Sequence, residues 1–230
     1  MVTTALVPAV TLLDMTIVED VKAERAAFAD FLMALGPSAQ TGCGEWTAMD
    51  LAAHLAGEER NGGVTTFVAR SLVARGVSVP AAPSLVDIAM RLERRHGFSA
   101  LVHRLRRPIP RLLLRPRVAP LTLFEYWTHH DDLIRGNGGV HAAPTTLTEA
   151  IPLVLRYQLK KLPAGVRVTV GTADARFRWS VGPTPGRDVT VAGSPPDLVR
   201  WLSGRFALGE ITMTGPDNAV QALRAFTGRV

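Results

Sequence analysis

The sequence predicts an α+β protein, with a four-helix bundle followed by a small α/β domain whose sheet is mainly antiparallel. Three observations carry that expectation. Apolar residues recur at helical spacing up to about residue 135, and Gly136-Asn137-Gly138-Gly139 then breaks the pattern. Beyond the break, GVRVTVGT, ARFRWSV and RDVTVAG alternate with the period of strands. With 230 residues and 47% hydrophobic content, the chain can bury a core in each part. The boundaries expected are 16–140 for the bundle and 141–230 for the second domain.

The elements follow in order. Residues 1–15 are set apart as an N-terminal extension expected to be poorly ordered, or as the product of a misassigned start. Over 16–35, Ile17, Val21, Phe28, Phe31, Leu32 and Leu35 form one stripe, and Gly36-Pro37 stop the helix. Thr47-Ala48-Met49-Asp50 reads as a capping box with Asp in place of Glu, and opens a helix through LAAHLAGEER. That helix is expected to resume after Asn61-Gly62-Gly63 and run to about residue 74. A third helix spans Ser84 to about residue 105, RRPIPRLLLRPR is proline-broken, and a fourth helix covers roughly 121–135. After the glycine break come a helix at 146–161, the three strands, a helix from Pro195 to about Ser203, a strand at 209–214 and a terminal helix at 216–227.

Composition narrows the function classes. The net charge of +6 comes from arginine, since lysine occurs only at Lys22, Lys160 and Lys161. Such a balance suits nucleic acid, an anionic surface or an anionic small substrate, and does not choose among them. The basic 106–117 run lacks interleaved aromatics, which argues against nucleic acid. No run of about 18 apolar residues suggests a membrane span. The single cysteine, Cys43, excludes an intramolecular disulfide and fits a reducing cytoplasm.

The densest chemistry lies in EYWTHHDDLIR, residues 125–135. On a helix, positions four apart differ by about 40°, so Glu125 and His129 share a face. Asp132 lies next to His129, whereas His130 and Asp131 are rotated away by about 100° per residue. A carboxylate and an imidazole at this spacing can chelate one divalent ion. The missing ligand is sought on another helix, and His54 sits among Leu51, Ala52, Ala53 and Leu55. By itself it reads as a core histidine; beside the Glu125/His129 pair it reads as a third ligand. Two histidines and a glutamate leave one tetrahedral position open, as a catalytic zinc requires, with Asp132 orienting a ligand from behind. His130 and Asp131 are expected to be bystanders or outer contacts. His96 and His103 are expected at the surface, His141 in the linker, and Cys43 packed in its turn rather than nucleophilic.

Taken together, these residues resemble a known family. EWTAMDLAAHL resembles the W-T-x-x-D-L-x-A-H-L signature of the mycothiol-dependent maleylpyruvate isomerase family, whose N-terminal domain is a DinB-like four-helix bundle. EYWTHHDDL fits its E-x-x-x-H-x-x-D-L, and GSPPDLVRWLSGRF…GEITMTGPDNAVQALRAF is similar to its sterol-carrier-like C-terminal domain. The resemblance implies His54, Glu125 and His129 as ligands to a divalent metal, usually zinc. It implies mycothiol, the small thiol of actinobacteria, as the thiol cofactor or co-substrate, with its thiol at the open metal position. It also implies that Arg205 in SGRF is a catalytic-site arginine that could hold a substrate carboxylate. Thiolate addition to a small electrophile, anionic in one reading, would then end in isomerisation or in a stable S-conjugate. The residues after His54, with Gly57, Glu58, Glu59, Arg60 and then Asn-Gly-Gly, depart from many metal-binding relatives, so an S-transferase stands beside the isomerase. Two alternatives remain: a non-enzymatic small-ligand-binding protein with a structural metal site, and a thiol-independent metal hydrolase. The expected protein is cytoplasmic, a monomer or homodimer, without nucleic-acid or membrane partners.

Overall fold

The computed structural model describes residues 16–60, 82–158, 162, 164–172, 176–205 and 209–227. The first helix, α1 (Ile17–Leu35), starts at a full capping box. The Thr16 side chain accepts from the Glu19 amide, and the Glu19 carboxylate accepts the Thr16 amide at 2.8 Å. Gly36, at φ 85°, ends it. Helix α2 (Ala48–Arg60) starts where the sequence placed it, because Asp50 reaches back to the Thr47 amide at 2.9 Å and its hydroxyl at 2.8 Å. The continuation expected after Asn61 lies outside the described residues, as does the extension over 1–15.

The third helix expected is two. Helix α3 (Ala82–Arg94) and helix α4 (Phe98–Leu105) are separated at Gly97, whose φ of 79° no helix can absorb. A 3₁₀ turn at Arg111–Leu114 follows, tucking Leu113 and Ile109 inward from the basic run. Helix α5 (Ala119–Gly136) carries Pro120 in its first turn, where a missing amide costs nothing. The helical part therefore has five described helices rather than four.

α1 packs against α5 and α4, and α2 against α3 and α4. Val21, Phe28 and Leu32 of α1, Leu51 and Leu55 of α2, Leu101 and Leu105 of α4, and Leu123 and Trp127 of α5 form the fully enclosed core. The core also holds charge. Arg25 meets Glu59 with two bonds, 2.5 and 2.9 Å, and the Tyr126 hydroxyl donates to the same carboxylate. The close fit of α5 to the chain before α2 is visible at Gly136, where a Cβ would stand 2.7 Å from the Thr41 Cα.

A 3₁₀ turn (Thr145–Ala150) leads into α6 (Ile151–Gln158), shorter than expected at its N-terminal end because its first turn is 3₁₀. Residues 159–161 lie outside the description. Strands β1 (Val166–Thr172), β2 (Arg178–Val181), β3 (Arg187–Gly193) and β4 (Thr212–Thr214) form one sheet in the order β2-β1-β3-β4. The expectation of a mainly antiparallel sheet needs correction to a mixed one. β1 pairs antiparallel with β2 and β3 with β4, but the central and longest pairing, β1 with β3, is parallel. The physical reason is that β2 folds back on one edge of β1, so the returning chain enters on the other edge in β1's direction. Val166, Val168 and Val170 of β1 and Val189 and Val191 of β3 are fully buried, under α7 (Pro195–Leu202) and α8 (Asp217–Thr227). Among the described residues, no helix is long and apolar enough to cross a membrane.

Candidate metal centre

α5 presents Glu125, His129 and Asp132 on one side, and α2 brings His54 opposite them. The ligand atoms of His54, Glu125 and His129 all lie within 4.8 Å of one another. His129 Nε2 stands 3.6 Å from Glu125 Oε2. The two imidazoles meet edge to face, with centroids 4.9 Å apart at 76°. Trp46, from the turn before α2, covers both, tilted against His54 at 5.2 Å and nearly parallel to His129 at 6.3 Å. The histidines are buried, while the Glu125 side chain is 27% exposed, so the cluster opens to solvent on the glutamate side.

Asp132 stands behind His129, fully buried, with Oδ2 3.3 Å from His129 Nδ1. That is ion-pair distance without hydrogen-bond alignment, and Nδ1 has no hydrogen-bond partner. Arg205 grips Asp132 from the other side, Nε on Oδ1 at 2.7 Å and Nη2 on Oδ2 at 2.5 Å, with Nη1 on the Ser203 carbonyl at 2.7 Å. Burial pushes the Asp132 carboxyl up, but the hydrogen bonds of Arg205, and then the nearby His129 ring, outweigh it and the net shift is down. Burial likewise pushes His129 down, yet Asp132 and Glu125 overcome it and hold the imidazole above its ordinary value. The pocket thus favours positive charge at His129, whether a proton or a metal ion.

The donor set fits a divalent metal. Two imidazoles and a carboxylate suit zinc and its neighbours among the transition metals, and an aspartate held beside the non-ligating nitrogen is the usual support for a metal-bound histidine. Cys43, His129 and Asp132 also fall within 4.8 Å of one another. That set fits less well, because Arg205 occupies both Asp132 oxygens and burial, then Asp132, raise the Cys43 pKa and keep its thiol protonated.

The structure brings His54, Glu125 and His129 together, with Asp132 beside His129 and Arg205 bonded to Asp132. Cys43, expected packed in its turn with no histidine near it in sequence, lies beside His129 and Asp132, a proximity that spacing along the chain did not signal. The Gly42 amide donates to the Asp132 carbonyl at 2.8 Å, and this long-range bond sets the turn beside α5. His96 and His103 are exposed as expected. His141, expected as a linker residue, is buried against Trp127 with its side chain only 8% exposed.

Fold and cluster together define a helical-bundle protein with a candidate metal centre, joined to an α+β unit. Residues 21–134 match the family model described as the mycothiol maleylpyruvate isomerase N-terminal domain, which places the helical part of the chain in that family. In its overall fold the chain is similar to a crystal structure of a mycothiol-dependent maleylpyruvate isomerase, with TM-score 0.52 and 18% identity over 87% of this chain and 94% of that one. A crystal structure of a histidine-to-alanine mutant of such an isomerase is similar at TM-score 0.51, again with 18% identity and the same coverage. No curated protein matches.

Proposed function

We propose that this protein is a metal-dependent enzyme using mycothiol as thiol cofactor or co-substrate, acting on a small electrophile as an S-transferase or isomerase. The observation that carries this reading is the convergence of His54, Glu125 and His129 in a pocket buried on the histidine side and open at Glu125. These three residues would hold the metal, with zinc as the ion proposed. When bound, the metal would lower the pKa of a thiol, so that the reactive thiolate is present at neutral pH.

The chain's own groups have separate tasks. Trp46 walls the two histidines and excludes water from that side. Asp132 fixes the His129 ring, and Arg205 keeps Asp132 ionised and in place. Arg205 also puts positive charge at the margin of the centre, where a substrate carboxylate would be attracted; its side chain is 17% exposed. A cleft of about 360 Å³ lined by Glu45, Trp46, Asp50, Asp87, Met90, Arg91 and Arg94 adjoins the Trp46 ring and offers room for a polar small molecule. The sterol-carrier-like C-terminal unit, on this reading, contributes Arg205 and closes one side of the site.

Metal analysis and calorimetry test the proposal together. The purified protein should hold a divalent ion that is lost in His54→Ala, and the metal-loaded protein should bind mycothiol and consume it with an electrophile panel. Metal retained unchanged in His54→Ala sinks the site. Ester or amide hydrolysis without thiol binding would instead favour the hydrolase.

A further inference from the structure

The histidine that turns away from the first centre arrives at another. His130 leaves α5 about 100° around the axis from His129 and meets Glu24 of α1, with Nδ1 2.6 Å from Oε1. His141, on the segment leading out of the helical part, reaches the same oxygen, with Nε2 at 3.1 Å. The two rings lie 4.4 Å apart. The side chains of Glu24, His130 and His141 are only 10%, 6% and 8% exposed. We propose that Glu24, His130 and His141 form a second divalent-metal site, of the zinc class, that fastens the interdomain segment to α1 and α5.

The donor atoms are already gathered, all within 4.8 Å of one another. Metal–nitrogen and metal–oxygen bonds of 2.0–2.1 Å at tetrahedral angles separate ligand atoms by about 3.3 Å. The observed 2.6 and 3.1 Å therefore call for outward adjustments of about 0.7 and 0.2 Å. The rings are held in orientation by their walls. His130 stands edge-on to Phe28 at 5.7 Å, and His141 stacks on Trp127 at 5.2 Å and 12°.

The group behind the ligands points the same way. His141 Nδ1 is buried without a hydrogen-bond partner and faces Asp131 Oδ1 at 3.9 Å. An ion on Nε2 would require the proton on Nδ1, the nitrogen that looks towards Asp131. Asp131 is itself pinned by Arg200, Nε on Oδ2 at 2.8 Å and Nη2 on Oδ1 at 2.9 Å. The first centre has the same order of groups: imidazole Nδ1, aspartate, arginine of the C-terminal part. His129–Asp132–Arg205 and His141–Asp131–Arg200 thus run side by side from adjacent residues of α5. The burial of all three ligands suits a structural ion rather than a reacting one. This site does not depend on the function proposed for the first centre.

The test uses the full chain, stripped with chelator and titrated with zinc, then with cobalt to read the ligand-field bands. Wild type should bind two equivalents, His54→Ala one, and His54→Ala/His141→Ala none. Zinc should raise the Tm of His54→Ala and leave that of the double variant unmoved. Glu24→Gln in the His54→Ala background is the second probe, since it keeps the size of the side chain and should weaken the remaining equivalent at least tenfold. If the first centre takes no metal, wild type and His54→Ala each bind one equivalent, still lost with His141→Ala, and the second site stands. His54→Ala protein that binds no zinc, or a folded double variant that keeps its equivalent, overturns the proposal.

Discussion

Arg205 closes on both carboxylate oxygens of Asp132, at 2.7 and 2.5 Å, and Asp132 in turn backs His129 at 3.3 Å. A residue of the C-terminal part thereby controls the charge behind a histidine of the bundle. The two parts of the chain share one site through an ion pair that buries its carboxylate completely.

Asp132→Asn tests that relay. The amide keeps the volume but leaves Arg205 opposite a neutral group and removes the anion behind His129. Metal affinity at the first centre should fall about ten- to a hundredfold, read by competition against a chromophoric chelator. Affinity equal to wild type would show that Asp132 serves docking alone.

The neighbouring pair, Asp131 with Arg200, makes a second prediction about domain attachment. Both side chains are nearly inaccessible, at 1% and 6%. Arg200→Met strands a buried carboxylate that Arg135, at 3.0 Å, only partly compensates. In the presence of chelator it should cost roughly 3 kcal/mol. The double variant with Asp131→Leu should recover part of this, a coupling of about 1–3 kcal/mol in urea unfolding. Additive losses would mean that the pair does not act as a unit.

Within the bundle, Glu59 is the acceptor for both Arg25 and the Tyr126 hydroxyl. Glu59→Ala should destabilise by about 3–5 kcal/mol because it leaves a guanidinium uncompensated in the core. Tyr126→Phe removes only one bond to a charged group and should cost about 1.5–3 kcal/mol. Denaturant midpoints with unchanged slopes would establish the order; the reverse order would refute it.

At the exposed start of α1, the Thr16 backbone bond, then its side chain, lowers the Glu19 pKa against a smaller opposing effect of burial. A depressed folded-state pKa contributes stability above the unfolded carboxylate value, and that contribution is lost as pH falls through the folded one. Amide exchange at residues 17–20, corrected for intrinsic rates, should therefore speed up relative to mid-helix amides on acidification. Glu19→Gln should flatten the dependence. Equal pH responses in the two proteins would remove the capping box from the account.

Much of the first centre was legible because it is local geometry. A hundred degrees per residue puts Glu125 and His129 together and turns His130 away, whatever the helix packs against. The caps at Thr47 and the stops at Gly36 and Gly136-Asn137 are equally local, and they place α2 and α5 correctly. Gly97 carried a local signal too, but within a continuous helical pattern a lone glycine does not announce a positive φ.

The remaining features depend on which surfaces meet. The strand segments were readable from alternation, whereas the parallel β1–β3 pairing was set by the edge that β2 had already taken. Asp131 looked like half of an idle doublet until α7 delivered Arg200. Cys43 came beside His129 through a backbone bond from Gly42 to Asp132, ninety positions apart.

By itself the sequence determined the helices, their caps and the face of α5 that joins Glu125, His129 and Asp132, since short-range sterics and hydrogen bonding suffice for those. It also carried the family resemblance in its paired motifs. Only the tertiary structure decided that His54 faces this pair across the core, that Arg205 and Arg200 lock adjacent aspartates, and that His141 joins His130 at Glu24. Those contacts arise when apolar faces dock, and docking brings together residues that spacing along the chain cannot relate.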